Sequence, residues 1–278
     1  MSYAAKWGNV APTTDFHAHA FPDALARRAI GSLEESGGIR AYTDGTVRGL
    51  LAAMDRAGIG RSVLCSIATK PSQFADIMAW SEDIRSERLI PLPSVHPRDP
   101  QLLTHVRQIR DQGFAGIKMH PYYQQFILDD PDLFSLYEEL ATLDLMLVIH
   151  AGYDIAFPGE RRADPERVLS VTMRFPELKL IVTHMGGWED WDAVEEHLIG
   201  RPIYLESSFG ADYLTPERMR RMVLAHPQGY ILFGSDSPWT DQQKSLENVR
   251  LLQLPCDVLQ GILCDNARRL LGGHCQPE

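Results

Sequence analysis

Cysteine is scarce in this 278-residue sequence. Cys65, Cys256, Cys264 and Cys275 are the whole set, and no two form a Cys-x-x-Cys pair. That excludes a disulfide framework of the kind small secreted domains use. Cys65 sits in an apolar run and reads as a reduced, buried thiol. Long hydrophobic runs are missing as well: no stretch approaches the ~20 apolar residues that cross a bilayer. Residues 1–14 lack the basic-then-apolar pattern of a secretory leader. The expected location is therefore the cytoplasm. Positive charge is also in deficit, with 27 Lys and Arg against 37 Asp and Glu and a net charge of −10. Such a chain is a poor partner for nucleic acid or an anionic membrane surface. That leaves a small-molecule substrate as the expected partner, and homo-oligomer formation stays open. No Gly-x-Gly-x-x-Gly fingerprint or phosphate-binding Gly-Lys-Ser/Thr loop follows the first strand, which weighs against nucleotide binding. Internal repeats, low-complexity tracts and long linkers are absent too.

What is present is a recurrence of eight short apolar segments, at 14–18, 61–67, 89–95, 116–120, 146–150, 180–184, 203–206 and 231–235. Most are rich in Val, Ile and Leu, as strands buried on both faces are. Each gap between them has room for a helix and two loops. Asp130-Pro131, Asp164-Pro165 and Thr215-Pro216 each place a capping side chain before a proline at the first helical position. Helices are expected to follow at 132–143, after 165 and at 217–225. A further one is expected at 257–271, with a break at Asp265-Asn266. Strand–helix alternation predicts a parallel sheet, and eight units in one chain predict a (β/α)8 TIM-type barrel, read as a single domain over 1–278. Residues 31–45 read as a loop after the first strand, either covering the barrel mouth or lying on the surface.

The chemistry-bearing residues collect at the C-terminal ends of these strands, where barrel active sites lie. His17 and His19 end the first strand, Lys118 and His120 the fourth, His150 the fifth and His184 the sixth; Asp236 follows the eighth. Residues two apart on a strand share a face, so His17 and His19 can aim at one ion. Three nitrogen ligands and a carboxylate make an ordinary catalytic metal shell.

Taken together, these motifs resemble the amidohydrolase superfamily, and most closely its amidohydrolase-related branch of hydrolases, lactonases and aromatic-acid decarboxylases. The resemblance spans Asp15 to about Leu271. It rests on Asp-Phe-His-Ala-His (15–19), Gly-Ile-Lys-Met-His-Pro (116–121), Val-Ile-His-Ala-Gly (148–152), Thr-His-Met-Gly-Gly (183–187), Phe-Gly-Ser-Asp-Ser-Pro-Trp (233–239) and Asp-Asn-Ala-Arg-Arg-Leu-Leu-Gly (265–272). It implies one divalent metal, expected to be Zn²⁺, on His17, His19, His150 and Asp236. His184 is then left to orient water or polarise substrate. A second ion is implied if Lys118 is carboxylated. Unmodified, Lys118 would instead bind a substrate carboxylate or pair with Glu206.

The expected reaction is hydrolysis of a C–N or C–O bond, with Asp236 taking the proton of a metal-activated water and His184 or His120 assisting. Arg161 and Arg162, in the loop after the fifth strand, suggest a small carboxylated substrate. Tyr122, Tyr123, Trp188 and Trp239 are candidate pocket walls, and His96 is a weaker one. Two alternatives stay open: non-oxidative decarboxylation of an unsaturated or aromatic acid, and a non-catalytic metal-binding barrel.

Overall fold

The computed structural model of the protein describes residues 12–272; Cys275 and His274 lie outside that range. Eight strands alternate with helices. They are β1 (Thr14–Ala18), β2 (Arg61–Cys65), β3 (Leu89–Leu92), β4 (Gly116–Met119), β5 (Met146–Ile149), β6 (Leu180–Val182), β7 (Tyr204–Glu206) and β8 (Ile231–Leu232). The helices are α1 (Asp23–Gly37), α2 (Val47–Ala57), α3 (Phe74–Ile84), α4 (Leu102–Asp111), α5 (Phe134–Thr142), α6 (Pro165–Arg174), α7 (Trp191–His197), α8 (Gly210–Tyr213), α9 (Pro216–Ala225), α10 (Gln242–Leu251), α11 (Cys256–Gln260) and α12 (Asn266–Leu271). The strands pair in parallel as β1-β2-β3 and β4-β5-β6-β7-β8. Backbone bonds close the two seams. Phe16 donates to the Phe233 carbonyl (2.7 Å), Asp236 to the His17 carbonyl (2.7 Å), and Lys118 to the Pro93 carbonyl (2.9 Å). The result is the expected (β/α)8 barrel. Among the described residues no helix is long and apolar enough to cross a membrane.

Alternation along the strands divides two cores. Leu64, Ile117, Met119, Leu147, Ile149 and Val182 face outward and pack on the helices. Phe16, Val63, Leu92, Val148, Ile181 and Leu232 fill the interior, where Ala267, Leu270 and Leu271 of α12 join them. At about 1.5–3 kcal/mol for each fully buried large apolar side chain, these two layers dominate the fold's stability. A bulge interrupts β1. Asp15 pairs with Ser62 and Ala18 with Leu64, so one extra residue sits in β1. The extra residue resets the alternation, so Phe16 points into the core and His17 and His19 still reach the mouth.

The helix starts behave as their capping chemistry predicts. Asp164 accepts from the Arg167 N–H and Thr215 from the Arg218 N–H, contacts worth about 1 kcal/mol each. Asp130-Pro131 opens a 3-10 turn (Pro131–Leu133) that leads into α5. Two expectations need correction. Residues 31–45 are not wholly loop, because α1 runs to Gly37 and stops at Gly38, which adopts φ 61°. Nothing in the packing requires glycine at position 31 of that helix, since a side chain there would meet open space. The C-terminal helix is not broken at Asp265-Asn266. A π-turn (Gly261–Asp265) joins α11 to α12, and the Asn266 amide donates to the Gln228 and Ile231 carbonyls at 2.8 Å.

Candidate functional site

The strand ends deliver three donor atoms to one point. His17 Nε2 lies 3.2 Å from His19 Nε2. Asp236 Oδ1 is 3.3 Å from the first and 3.1 Å from the second. The outer nitrogens of both rings are already engaged: His17 Nδ1 with Glu206 Oε1 at 3.0 Å, and His19 Nδ1 with the Cys65 carbonyl at 2.7 Å. Acceptors at those positions fix both rings with the proton on Nδ1. The two Nε2 lone pairs and a carboxylate oxygen therefore converge on one point, an arrangement that a bound cation would stabilise and that the Lys118 Nζ, 3.2 Å from His17 Nε2, relieves in part. Bonds of about 2.0–2.1 Å to a tetrahedral ion separate ligands by about 3.3 Å, so the triangle has the edge lengths of a metal shell. The donor set fits a divalent ion.

Beneath the triangle the support is buried. The Glu206 carboxylate is sealed from solvent. It accepts from the His184 N–H (2.8 Å), the Ser208 N–H (2.8 Å) and the Ser208 hydroxyl (2.5 Å). Burial raises its carboxyl to about 7 despite those bonds. A carboxylate placed in this way would orient His17 as a metal ligand. Gly234 is required there, since a Cβ would collide with Glu206 Oε2. Asp15 does the equivalent for the β8 side: it accepts from the Ser235 N–H and hydroxyl and from the Gln242 amide. Lys118 is fully buried, and its Nζ is 3.2 Å from His17 Nε2. Burial lowers its pKa. His17 and His184 are likewise held well below the usual histidine value, first by burial and then by neighbouring cationic groups.

His150 does not complete this triangle by direct contact. Its Nδ1 is 3.0 Å from His184 Nε2, and its Nε2 is 3.0 Å from the Tyr153 carbonyl. It belongs to a second group with His120 and Asp154. His120 and His150 stack at 4.2 Å between ring centroids. Asp154 Oδ2 is 3.4 Å from His120 Nε2 and 3.6 Å from His150 Nε2. Burial raises the Asp154 carboxyl to about 6. His184 stands between the groups, with a ring nitrogen within 4.8 Å of donor atoms on both His17 and Asp236. It and Met185 adopt φ of 59° and 52°, and Asp236 adopts φ 60°, left-handed conformations that cost roughly 1–3 kcal/mol each and cluster at functional sites. His184 Nδ1 is 2.9 Å from the Ser208 hydroxyl.

Both groups open into a cavity of about 640 Å³, which Tyr123, Trp188, Phe209 and Trp239 also line. Several expected pocket residues are elsewhere. Arg161 is bound to Asp190 (2.8 Å), with its guanidinium 4.3 Å from the Tyr153 ring centroid, and Arg162 to Glu160 (2.7 Å). Neither lines the cavity, which removes the basis for a carboxylate clamp there: both charges are already neutralised by loop acids. Tyr122 is buried behind the wall, its hydroxyl donating to the Gly152 carbonyl at 2.5 Å, and Tyr123 takes the exposed position. His96 accepts from the Arg98 N–H and stays outside as well. Sequence reasoning overlooked Asp154, because an acid in a polar loop carries no pattern. It gave Glu206 only a pairing with Lys118, although a carboxylate closing an apolar strand was a usable signal. The helices that wall the mouth beyond the strand ends were not identified at all. A shallower depression among Glu138, Thr142, Arg174 and Glu177 lies on the outer helices, away from both groups.

Comparison with known proteins agrees with the barrel fold. The amidohydrolase family profile matches residues 14–273. No curated protein matches the chain. An uncharacterised TIM-barrel protein of Bordetella bronchiseptica superimposes with a TM-score of 0.71 at 18% identity, covering 95% of this chain and 99% of its own. A probable 2-pyrone-4,6-dicarboxylic acid hydrolase of Acinetobacter baumannii, solved with citric acid, gives 0.64 at 15% identity over 94% and 99%. A 5-carboxyvanillate decarboxylase of Novosphingobium aromaticivorans, solved with manganese, gives 0.66 at 13% identity over 95% and 97%. At such identities the superpositions speak for the fold, while the family profile covers nearly the whole described chain. This chain belongs to the amidohydrolase family.

Proposed function

We propose that the protein is a metal-dependent hydrolase that cleaves a C–N or C–O bond, such as that of a cyclic amide or lactone. The observation that carries this reading is the triangle of His17 Nε2, His19 Nε2 and Asp236 Oδ1 at 3.1–3.3 Å, with the outer nitrogens of both rings occupied. His17, His19 and Asp236 would hold a divalent ion, zinc or manganese, which when bound would supply Lewis acidity and lower the pKa of water. The protein's own residues do the rest. Asp236 accepts a proton from the attacking water and returns it to the leaving group. His184, kept neutral by burial and with Nδ1 turned to the Ser208 hydroxyl, offers Nε2 as an acceptor that orients the attacking water. Glu206 holds His17 in the tautomer that leaves Nε2 free. Trp188 and Trp239 exclude bulk water.

The test combines metal analysis with product analysis. Stoichiometric metal and turnover that both vanish in Asp236→Asn support the reading; wild-type turnover in that variant sinks it. One observation favours a second reading, non-oxidative decarboxylation. The cavity walls are largely apolar, which disfavours a charged carboxylate relative to a transition state that disperses its charge. Release of CO2 without addition of water would select it.

A further inference from the structure

The imidazoles, Lys118 and the carboxylates of the two groups form the cavity floor, and the wall above is mostly apolar, with Ser32, Thr69, Gln73 and Asp76 among its lining residues. Leu25, Ala29 and Leu33 recur every four residues along α1, so they share one helix face. Ile77 and Trp80 come from α3, and Ile39 and Ile67 from loops. Leu25 is 44% exposed, and Leu33, Ile39, Ile67, Ile77 and Trp80 are only half-buried. Single exposed apolar side chains are ordinary. A set of them converging on one concavity above a catalytic floor marks a binding surface. Charge is sparse on this wall. Among the described lining residues the only lysine or arginine side chains are Lys118 on the floor and the exposed Arg28 of α1 at the rim, and Asp76 of α3 also lines the cavity. On this wall a substrate carboxylate would find no buried basic partner, since Arg161 and Arg162 lie outside the cavity and are paired with acids.

We infer that the substrate carries a medium-length alkyl chain lying along the α1 and α3 wall, with the scissile carbonyl at the floor. The inference deepens the hydrolase reading and rests on it for where the carbonyl sits. Burial on that wall is worth about fourfold in affinity per methylene.

Calorimetry with aceto-, butyro-, hexano- and octanohydroxamic acid, on Zn²⁺-loaded and metal-free protein, tests it. Hydroxamates chelate metal through a common head, so the series varies the chain alone. The expected result is a Kd that tightens about three- to fourfold per methylene, with all binding stronger when metal is present. Leu33→Asp and Ile77→Asp should each flatten that slope. A steep slope equal in both forms supports the alkyl wall and overturns the metal reading. A flat slope with acetohydroxamate bound overturns the alkyl wall and leaves the metal. Failure of every hydroxamate to bind overturns both.

Discussion

Two groups of imidazoles and a carboxylate share one barrel mouth, and they are built differently. In the His17–His19–Asp236 triangle the donors lie 3.1–3.3 Å apart and each ring has its outer nitrogen engaged. In the His120–His150–Asp154 group the carboxylate stands 3.4–3.6 Å off, and the buried His120 Nδ1 has no partner. The first group rests on strand ends and on the carboxylate of Glu206. The second takes its acid from the loop after β5. A metal shell needs fixed tautomers and rigid supports, because every ångström of freedom must be frozen on binding. A group facing substrate can stay looser. We propose on this contrast that the triangle holds the ion and that His120 and Asp154 contact the substrate.

That contrast can be broken or sharpened by measurement. The largest effect is expected at the triangle: Asp236→Asn should cut turnover by about 10³-fold or more, with the barrel intact by circular dichroism. Next comes Gly152→Ala. Gly152 has φ 82°, and an added Cβ would collide with the Trp188 backbone, so denaturant unfolding should register a loss of about 3 kcal/mol. Retained stability would mean that the β5–β6 junction supporting the second group yields easily. Glu206→Gln should weaken metal binding by roughly 10–100-fold in competition with a chromogenic chelator. An unchanged affinity would erase the difference in support between the groups. Asp154→Asn is expected to leave metal content unchanged and to lower turnover by less than about tenfold. Loss of metal in that variant would transfer the ion to the second group.

The smallest effect concerns a buried imidazole in neither group. His226 Nε2 donates to the Ile203 carbonyl at 2.8 Å, and burial lowers its pKa below 6.5. The unfolded chain then binds the proton more readily than the folded one. The stability this neutral ring contributes is thus fully present above pH 6.5 and lost as pH falls from there through the lower folded value. His226→Gln should reduce the drop in melting temperature between pH 7 and pH 5 by about a few degrees, with no change in metal content.

Much of this was legible in the chain. The parallel barrel followed from eight apolar segments separated by helix-length gaps, and the helix starts from Asp-Pro and Thr-Pro pairs whose caps are present at Asp164 and Thr215. His17, His19 and Asp236 were readable because strand ends carry a positional meaning. The partition of the remaining histidines was not readable. His150 and His184 both close apolar strands, yet one reaches the Tyr153 carbonyl while the other turns through a left-handed backbone toward Ser208. The arginines misled for a similar reason. A guanidinium in a loop shows its charge in the sequence, but its partner does not appear there.

The sequence by itself determined the periodicities, the caps and the order in which metal-binding side chains meet the strand ends, because those depend on neighbours along the chain. Tertiary structure alone decided which imidazole faces which carboxylate, that Arg161 and Arg162 are neutralised by Asp190 and Glu160, and that α1 and α3 bring Leu25, Leu33, Ile77 and Trp80 to the cavity. Those outcomes depend on contacts between residues far apart in sequence, fixed only once the barrel closes and brings β1 against β8.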